Sequence, residues 1–534
     1  MIKKLPIGIQ SIREILEEGC IYVDKTGFAK DLIDNGKHYF MSRPRRFGKS
    51  LFLNTIEEIF KGNKELFKGL KIYESKYNWQ KHPVLYFDFA QILNTHPEQL
   101  ELGLKAELQR MGKSHGIAVE GPSVQFQLKV LIEDLSQKSR VVVLVDEYDS
   151  AIINNLKQPE IAEKNRNIMK GFFATLKGLD RYLKFTFVTG VSKFSQVSLF
   201  SGPNNLTDIT MDSRYAAMMG YTEDELKRNF TGYIQKIAKE RGEHENIAKE
   251  ELIVKEVRDW YNGYRFSEED LSVYNPYSTL LFFNTAKPKS YWYRSGTPSF
   301  LIDQINNRPQ SIIPLRGMSA IESTLSDISR VDRINLAALM FQTGYLTIKG
   351  YKPEERSYQL DFPNREVKDA FFSSLLQEFT EIDPVEISRS ALGIKQSLEA
   401  LDIPKFVDII NTHFAKMPYH VFGHAKESFY QAVFFTFLET AGIRTSSEIA
   451  TNIGRIDLMT ETPEVVCIFE LKLDKTADIA LTQAETKKYR ERFAYSTKNT
   501  AVFGINFSSK TRNISDWKGK IYSNNGNFVK DLST

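Results

Sequence analysis

Two groups of residues in this chain have the types and spacing that chemistry on phosphates requires. The first is the segment SRPRRFGKSLF at residues 42–52, which contains Gly48, Lys49 and Ser50. A phosphate-binding loop has the spacing G-x-x-x-x-G-K-[ST], so only its first glycine is absent, and Arg43 stands at that place. In such a loop the lysine reaches the β- and γ-phosphates, and the hydroxyl that follows it binds Mg²⁺.

A second acidic segment supports the nucleotide interpretation. The run VVVLVDEYDS places Asp146 and Glu147 at the C-terminal end of a predicted buried strand. Asp146 there can hold Mg²⁺ through water, and Glu147 can polarise the attacking water. Thr189 and Ser192 follow the next strand and are candidate sensors of the γ-phosphate. Single features have plainer explanations: a basic turn before a helix, two surface acids, or hydroxyls that cap a turn.

Arg46 and Phe47 complete the candidate nucleotide-binding set, because backbone N–H groups at a helix N-terminus face bound phosphates. The missing first glycine is a defect, since that position often needs an unusual backbone angle. Arg45, Arg46 and Arg214 are also candidate phosphate ligands or arginine fingers. For Arg45 and Arg214 a solvated or structural role is the favoured interpretation.

The second group lies in GRIDLMTETPEVVCIFELKL, which carries Asp457, Glu470 and Lys472. Strand side chains alternate, so Glu470 and Lys472 share one face. A two- or four-residue turn would place Asp457 opposite Ile468 and on the face of Glu470, whereas a three-residue turn would not. Two carboxylates on one face can hold Mg²⁺ or Mn²⁺, and Lys472 can position water or neutralise a phosphate. By itself the spacing also fits a solvated, charged strand end.

The bulk composition is that of an ordinary globular protein and leaves the partner open. The chain has 534 residues, 42% of them hydrophobic, and 71 basic residues nearly cancel 67 acidic ones. Any basic surface must therefore be local. Cys20 and Cys467 are the only cysteines, which excludes a disulfide framework. The N-terminus has no apolar signal segment, and no apolar run approaches the roughly 18 residues of a membrane span. We expect a soluble, cytoplasmic protein with no membrane partner.

The chain falls into three predicted regions. Residues 1–215 alternate apolar strands with helices, which predicts a parallel sheet covered on both faces. Residues 216–420 are mostly helical, and their segment from Arg333 has the helix–strand–strand–helix order of a winged helix. Residues 421–534 predict a helix, a hairpin whose strands carry the second group, then a helix and a strand. The class is thus α/β and multidomain.

Two features of the middle region could contact nucleic acid. Its Tyr/Phe clusters could stack on bases, but apolar neighbours at helical spacing favour core packing. The predicted wing has basic residues that could touch a DNA backbone. Acidic residues in its turn favour an ordinary solvated hairpin. The residues concerned are Lys349, Lys352, Arg356 and Arg365, with Glu354 and Glu355 in the turn.

The sequence resembles the AAA-ATPase-like family of bacterial proteins through about residue 225. The resemblance rests on VDKTGFAKDLI, SRPRRFGKSLFLNTI, LVDEYDS, TGVSKFSQVSLFSGPNNLTDIT and GYTEDEL. In that family RPRRFGKS is the usual loop, so the resemblance makes Arg43 an expected variant. It also implies a P-loop, AAA-like ATPase domain that uses ATP and Mg²⁺.

The same architecture commonly carries a C-terminal PD-(D/E)XK domain, and residues 421–534 resemble that restriction-endonuclease-like superfamily. The resemblance implies that Asp457 and Glu470 bind metal and that Lys472 is the catalytic lysine. Glu427 and Gln483 match accessory positions, and Tyr489 follows on the same predicted helix.

Three functional hypotheses follow. The first is an ATP-dependent, metal-dependent enzyme that cuts DNA. The second is a switch in which a slowly hydrolysing ATPase holds the nuclease off until a trigger arrives, a design that suits bacterial defence. The third is a module that binds DNA or a protein without cutting. The sequence leaves open the substrate form, the trigger, the arginine finger and whether the chain forms a homo-oligomer.

Overall fold

The computed structural model describes residues 2–193, 206–241, 247–293, 301, 305, 317–326, 335–380, 382–417, 422, 426–450, 454–493 and 497–533. The chain divides into two compact units. Unit 1 comprises Met1–Gly296 and Ser319–Glu366, and unit 2 comprises Thr297–Met318 and Val367–Thr534. The predicted boundary between residues 420 and 421 lies outside the described residues.

Unit 1 contains a five-stranded parallel sheet with the order β2-β3-β4-β1-β5. Its third strand is buried along its whole length, as its unbroken apolar run predicts. The strands are β1 (His38–Ser42), β2 (Val84–Asp88), β3 (Val141–Asp146), β4 (Leu183–Gly190) and β5 (Thr207–Asp208). The first four confirm the predicted strands, and the two-residue β5 was not predicted.

Among the described residues before β5, seven helices connect these strands or precede them. They bury apolar residues at helical spacing: α3, for example, buries Phe52, Leu53 and Ile56. The helices are α1 (Ile12–Glu17), α2 (Thr26–Asn35), α3 (Lys49–Phe60), α4 (Pro97–Ser114), α5 (Val124–Ser136), α6 (Ser150–Ile153) and α7 (Pro159–Gly178).

The middle part of the chain is mainly helical, and a small three-stranded sheet has the order β6-β8-β7. The predicted helix–strand–strand–helix order is confirmed by α12, β7, β8 and α13. The elements are α8 (Glu223–Glu240), α9 (Ile247–Tyr261), α10 (Pro276–Thr285), β6 (Met318–Ile321), α11 (Glu322–Leu325), α12 (Leu336–Thr343), β7 (Thr347–Lys352), β8 (Ser357–Asp361) and α13 (Arg365–Thr380).

The aromatic clusters of this part pack in the interior. Tyr261, Tyr264, Tyr274 and Trp292 are all buried, so the core-packing interpretation is confirmed for them. Bases cannot reach rings that the folded unit has already covered.

Unit 2 contains a six-stranded mixed sheet with the order β14-β13-β12-β11-β10-β9. Only β11 and β12 run parallel. The elements after α13 are α14 (Pro384–Glu399), α15 (Ile403–Lys416), α16 (Glu427–Thr440), β9 (Arg444–Ala450), β10 (Arg455–Glu461), β11 (Val465–Leu473), α17 (Ala477–Thr486), β12 (Asn499–Ser508), β13 (Asn513–Tyr522) and β14 (Phe528–Ser533).

The predicted strands of this region correspond to β10, β11 and β12, whereas β9, β13 and β14 were missed. Strand β14 is exposed along almost all its length, so it carries no buried apolar run. Tyr489 lies in a 3₁₀ turn after α17, whereas the sequence predicted that it shares a helix with Gln483. Across the described part of the chain, no helix is both long and apolar enough to span a membrane.

Candidate nucleotide and nuclease sites

The phosphate-loop segment connects β1 to α3, the strand–loop–helix setting that its mechanism requires. Gly48 is the N-cap of α3 and has a φ of 90°. A Cβ there would meet no atom within 4 Å, so the backbone angle and not the space favours glycine. Arg46 also has a positive φ, of 66°. The left-handed positions of this loop are therefore 46 and 48.

Arg43 does not take the unusual backbone angle that often requires glycine at the first position of such a loop. Its side chain is buried, and Nη1 donates to the carbonyl oxygens of Ser42 at 2.9 Å and Thr210 at 2.7 Å. The guanidinium carbon lies 4.1 Å from the centre of the Phe266 ring. Burial lowers the pKa of Arg43 to about 9. Arg43 therefore cross-links the loop to other parts of unit 1.

Lys49 is buried at the start of α3. Its Nζ donates to the carbonyl oxygens of Arg43 at 3.0 Å and Pro44 at 3.1 Å. Burial lowers the pKa of Lys49, while the charges of Asp146 and Glu147 act in the opposite direction. The ammonium is thus held over the loop, where it is bonded to neutral oxygens.

Asp146, at the end of β3, is bonded to two other predicted site residues. Its Oδ2 accepts from the Ser50 hydroxyl at 2.5 Å, and its Oδ1 accepts from the Thr189 hydroxyl at 2.7 Å. Tyr86 adds a hydroxyl at 3.3 Å that the sequence analysis missed. Glu147 follows with a φ of 47°, and burial raises its pKa.

Ser192 is not part of the group around Asp146, because it bonds to Asp149. The Ser192 backbone N–H and hydroxyl donate to Asp149 Oδ2 at 2.7 and 2.8 Å. Burial raises the pKa of Asp149, which the hydrogen bonds from Ser192 oppose. Asp149 was not among the predicted site residues, although its position three residues after Asp146 in VDEYD places it at the same edge of the sheet.

The other predicted arginines make different kinds of contact. The Arg46 guanidinium lies 5.1 Å from the centre of the Tyr277 ring. Arg214 is exposed and pairs with Asp212, where its Nη2 lies 2.6 Å from Oδ2. The backbone carbonyl of Arg45 accepts from the Trp292 indole at 2.9 Å. The structure thus favours a local role for Arg214, as the sequence analysis did.

A narrow, mainly apolar cavity of about 70 Å³ opens beside the start of α3. Gly48 and Leu51 line one side, and Ile21, Val23 and Met218 line others. At its edge the Lys25 ammonium lies 2.7 Å from both oxygens of Glu225.

In unit 2, Asp457 lies on β10, and Glu470 and Lys472 lie on β11. The predicted register was wrong by two residues: Ile468 faces Met459 and not Asp457, and Phe469 faces Leu458. The same register, continued one residue beyond these pairs, would bring Asp457 level with Glu470. The turn is two residues long, with Thr462 bonded to Val465, so the predicted face is retained although the partner changed.

Each of the three charged side chains of β10 and β11 bonds to a group on β11. Asp457 Oδ2 accepts from the Leu471 backbone N–H at 2.8 Å. Lys472 Nζ donates to Glu470 Oε1 at 2.6 Å and to the Leu471 carbonyl at 3.0 Å. Both Glu470 and Lys472 are buried, which a solvated strand end would not be.

Neighbouring side chains orient this group. Glu427 is the first residue of α16, and its Oε2 accepts from the Leu473 N–H at 3.0 Å. The Gln483 amide donates to Glu470 Oε1. The Tyr489 hydroxyl donates to the Arg455 carbonyl at 2.7 Å. Gln431, which the sequence analysis missed, donates to the Asp457 carbonyl at 3.3 Å from the second turn of α16.

The electrostatics of this pocket favour a cation. Burial, followed by the charge of Asp457, raises the pKa of Glu470 to about 7. Burial opposes the charge of Lys472, but hydrogen bonding to Glu470 and the nearby carboxylates raise its pKa overall. Glu470 Oε2 is buried and has no hydrogen-bond partner in the described structure.

These donors fit Mg²⁺ or Mn²⁺. Within the described residues, no group of three or more metal-ligating side chains is assembled. Mg²⁺, however, usually needs only one or two carboxylates and keeps several waters. Asp457 and Glu470 supply two carboxylates, one of them with a buried oxygen that still lacks a partner.

The basic residues of the predicted wing are mostly engaged. Lys349 donates to the Pro363 carbonyl at 2.8 Å, and burial lowers its pKa. Lys352 pairs with Glu355 at 3.1 Å. The Arg365 guanidinium lies 5.0 Å from the centre of the Trp260 ring. These contacts favour the ordinary hairpin over a DNA-binding wing.

Comparisons with known proteins match the two regions of the chain that carry these residues. Residues 6–200 match the AAA-ATPase-like family, described as a predicted AAA-ATPase, and residues 425–517 match the PD-(D/E)XK nuclease superfamily. A protein of Azotobacter chroococcum mcd 1, described as an uncharacterized protein in the vnfD 5' region, is 37% identical over 528 residues. That match covers 96% of this chain and 98% of the relative.

Two solved structures align over much of the chain with low similarity. Cdc6p from Pyrobaculum aerophilum aligns with 10% identity, a TM-score of 0.23, and coverage of 65% of this chain and 89% of that one. The Aeropyrum pernix ORC2 protein aligns with 13% identity, a TM-score of 0.24, and coverage of 64% and 88%.

The fold class is therefore confirmed as α/β and multidomain, with a parallel-sheet ATPase-like part and a C-terminal mixed sheet. The near full-length relative shows that the whole arrangement, and not one domain alone, is shared. The chain belongs to the AAA-ATPase-like family and carries a C-terminal domain of the PD-(D/E)XK nuclease superfamily.

Proposed function

We propose that the protein binds and hydrolyses ATP and cuts DNA in a metal-dependent reaction, with the nucleotide state controlling cleavage. The observation that carries the proposal is the buried contact of Glu470 with Lys472, beside Asp457. Two acids and a lysine in one covered pocket cost free energy to desolvate. A catalytic role explains why this chain places them there.

The nucleotide half rests on the loop and the end of β3. Lys49 and the N–H groups of Arg46, Phe47 and Gly48 bind the phosphates. Ser50 and Asp146, already bonded to each other, hold Mg²⁺. Glu147 polarises the attacking water. Thr189, through Asp146, and Ser192, through Asp149, respond to the γ-phosphate.

The nuclease half rests on β10 and β11. Asp457 and Glu470 hold Mg²⁺ or Mn²⁺, and Lys472 orients the attacking water or neutralises the phosphate. A bound metal supplies Lewis-acid stabilisation and a more acidic water. Gln483 and Glu427 act by positioning: one holds the carboxylate of Glu470, and the other holds the end of β11.

The test incubates the full-length protein with linear and with circular DNA, in Mg²⁺ or Mn²⁺, with and without ATP. Asp457→Ala is the nuclease control, and Lys49→Ala is the nucleotide control. We expect metal-dependent cleavage that Asp457→Ala abolishes and that responds to ATP only when Lys49 is present. Cleavage that survives Asp457→Ala would rule out the assigned nuclease site.

A further inference from the structure

The phosphate loop is enclosed by side chains from far along unit 1. The Phe47 ring is buried between Tyr264 and Phe266, with ring centres 4.8 and 5.7 Å away. A Cβ at Gly344 would lie 2.7 Å from the Cβ of Pro44, so the turn after α12 needs glycine to approach the loop. A movement of the loop must therefore displace these later residues.

Trp292 makes a directional contact with the backbone of the loop. Its indole N–H donates to the Arg45 carbonyl at 2.9 Å. The indole is buried, and its ring packs 5.3 Å from that of Tyr345. A buried N–H that loses its acceptor is destabilising. The hydrogen bond therefore ties the position of the indole to that of the Arg45 carbonyl.

The backbone of Trp292 is fixed in turn by a buried carboxyl group. The Trp292 N–H donates to Glu366 Oε1 at 2.7 Å, and the Ser278 hydroxyl donates to the same oxygen at 3.0 Å. Glu366 is fully buried, and burial raises its pKa to about 8. The loop, Trp292 and Glu366 thus form an unbroken series of hydrogen-bonded groups in unit 1.

Glu366 is the second residue of α13, and α13 leads along the chain from unit 1 into unit 2. Within unit 2, Lys368 of this helix lies 2.7 Å from Glu439, near the end of α16. Helix α16 begins with Glu427, which holds the end of β11. The helix that Glu366 heads is therefore bonded to the helix that carries a nuclease-site residue.

We propose that Trp292 and Glu366 are positioning residues. They respond to which nucleotide is bound at the phosphate loop and transmit the resulting change in loop conformation to α13. The inference rests on the proposed function, because it requires a nucleotide at the loop. It adds the route of regulation: the Arg45 carbonyl moves Trp292 through the indole N–H, the Trp292 backbone N–H moves Glu366, and Glu366 moves the first turn of α13.

The test has two readouts that are independent of DNA cleavage. Trp79, Trp260 and Trp517 are replaced by Phe, which leaves Trp292 as the sole tryptophan. If that variant does not fold, the difference between wild-type and Trp292→Phe emission replaces it. Hydrogen exchange of residues 365–380 is measured with ADP and with a non-hydrolysable ATP analogue. A fluorescent ADP measures binding separately.

We expect Trp292 emission to shift on nucleotide binding and the exchange of residues 365–380 to differ between the two nucleotides. Trp292→Phe keeps a ring but removes the N–H donor, so it should abolish the exchange difference and weaken binding by at most about tenfold. Trp79→Phe, whose ring packs on Phe67 and Tyr77, is the matched control and should behave as wild type.

Each failure has a separate meaning. If wild-type protein binds nucleotide but Trp292 emission is unchanged, the relay is overturned and the nucleotide site stands. The relay is likewise overturned if Trp292→Phe retains the wild-type exchange difference. If wild-type protein binds no nucleotide, the proposed function is overturned, and the relay with it.

Discussion

The two sites each contain a buried lysine beside carboxylates, but the lysines are bonded in opposite ways. Lys49 donates to two neutral backbone carbonyls, and burial lowers its pKa. Lys472 donates to the carboxylate of Glu470, and the surrounding acids raise its pKa. Among the residues described, the Lys49 ammonium bonds to neutral oxygens, whereas the Lys472 ammonium bonds to a carboxylate.

The carboxylates of the two sites also differ in their hydrogen-bond partners. Both oxygens of Asp146 accept hydrogen bonds from hydroxyls. Glu470 keeps a buried oxygen that has no partner among the residues described, and its pKa is raised to about 7. The nucleotide site therefore presents an ammonium bonded to neutral oxygens, and the nuclease-like site presents a buried carboxylate oxygen with no donor among the residues described. A phosphate would complement the first group, and a divalent metal the second.

The largest expected effect is that of Glu470→Ala on cleavage. Removal of this carboxylate should lower the rate of DNA cleavage by about 10³-fold, because the metal would lose a ligand and Lys472 would lose its hydrogen-bond acceptor. Nucleotide affinity should not change. Glu464→Ala, in the exposed turn before β11, is the control and should cut normally. Equal loss of nucleotide binding would show that the two sites are not separate.

Lys49→Ala should weaken nucleotide binding by about 10²-fold, since it removes charge-assisted hydrogen bonds worth roughly 1.5 kcal/mol or more each. A titration with fluorescent ADP measures the affinity. Lys61→Ala, at the opposite end of α3, is the matched control. An affinity within twofold of wild type would mean that the loop lysine does not meet the phosphates.

Arg43→Gly, which restores the usual loop glycine, should destabilise the protein by about 2 kcal/mol. It removes a buried guanidinium that bonds two carbonyl groups and stacks on Phe266. Arg46→Gly is the contrasting variant: Arg46 is exposed with a positive φ, so glycine there relieves strain and should be neutral or slightly stabilising. Thermal melting compares the two. An unchanged melting temperature for Arg43→Gly would contradict the cross-linking role.

The smallest effect concerns pH. Below a pH of about 7 Glu470 carries a proton that a metal must displace. Mn²⁺ affinity should therefore fall about tenfold per unit as the pH drops below 7 and level off above it. Electron paramagnetic resonance of free Mn²⁺ measures this. Glu470→Gln should flatten the profile. A flat wild-type profile from pH 8 to 5.5 would contradict the assigned pKa shift.

The sequence predicted well what depends on local pattern. The strand that ends at Asp146 is an unbroken apolar run, and the strand that ends at Ser42 contains the apolar residues Tyr39 to Met41, so the ends of both strands and the residues after them could be placed. Alternation along β11 predicted that Glu470 and Lys472 share a face. The exact register of β10 was not predictable, because turns that start one residue earlier or later preserve the same face.

What the sequence could not show depends on contacts between distant residues. Nothing near Arg43 indicates that its acceptor is the Thr210 carbonyl, or that Trp292 donates to Arg45. The hydroxyl of Ser192 could be predicted to lie at the sheet edge, but not to choose Asp149 over Asp146. Such choices follow from packing geometry and not from periodicity.

The enclosure of the phosphate loop has a consequence for how the protein is made. The loop is complete at residue 50, yet its supports come from Thr210, Tyr264, Trp292 and Gly344. A ribosome must therefore synthesise roughly 300 further residues before the loop acquires all its neighbours. A nascent chain that stops early contains the phosphate loop without the residues that support it. ATP-binding competence should therefore arise late in translation, shortly before the nuclease domain emerges.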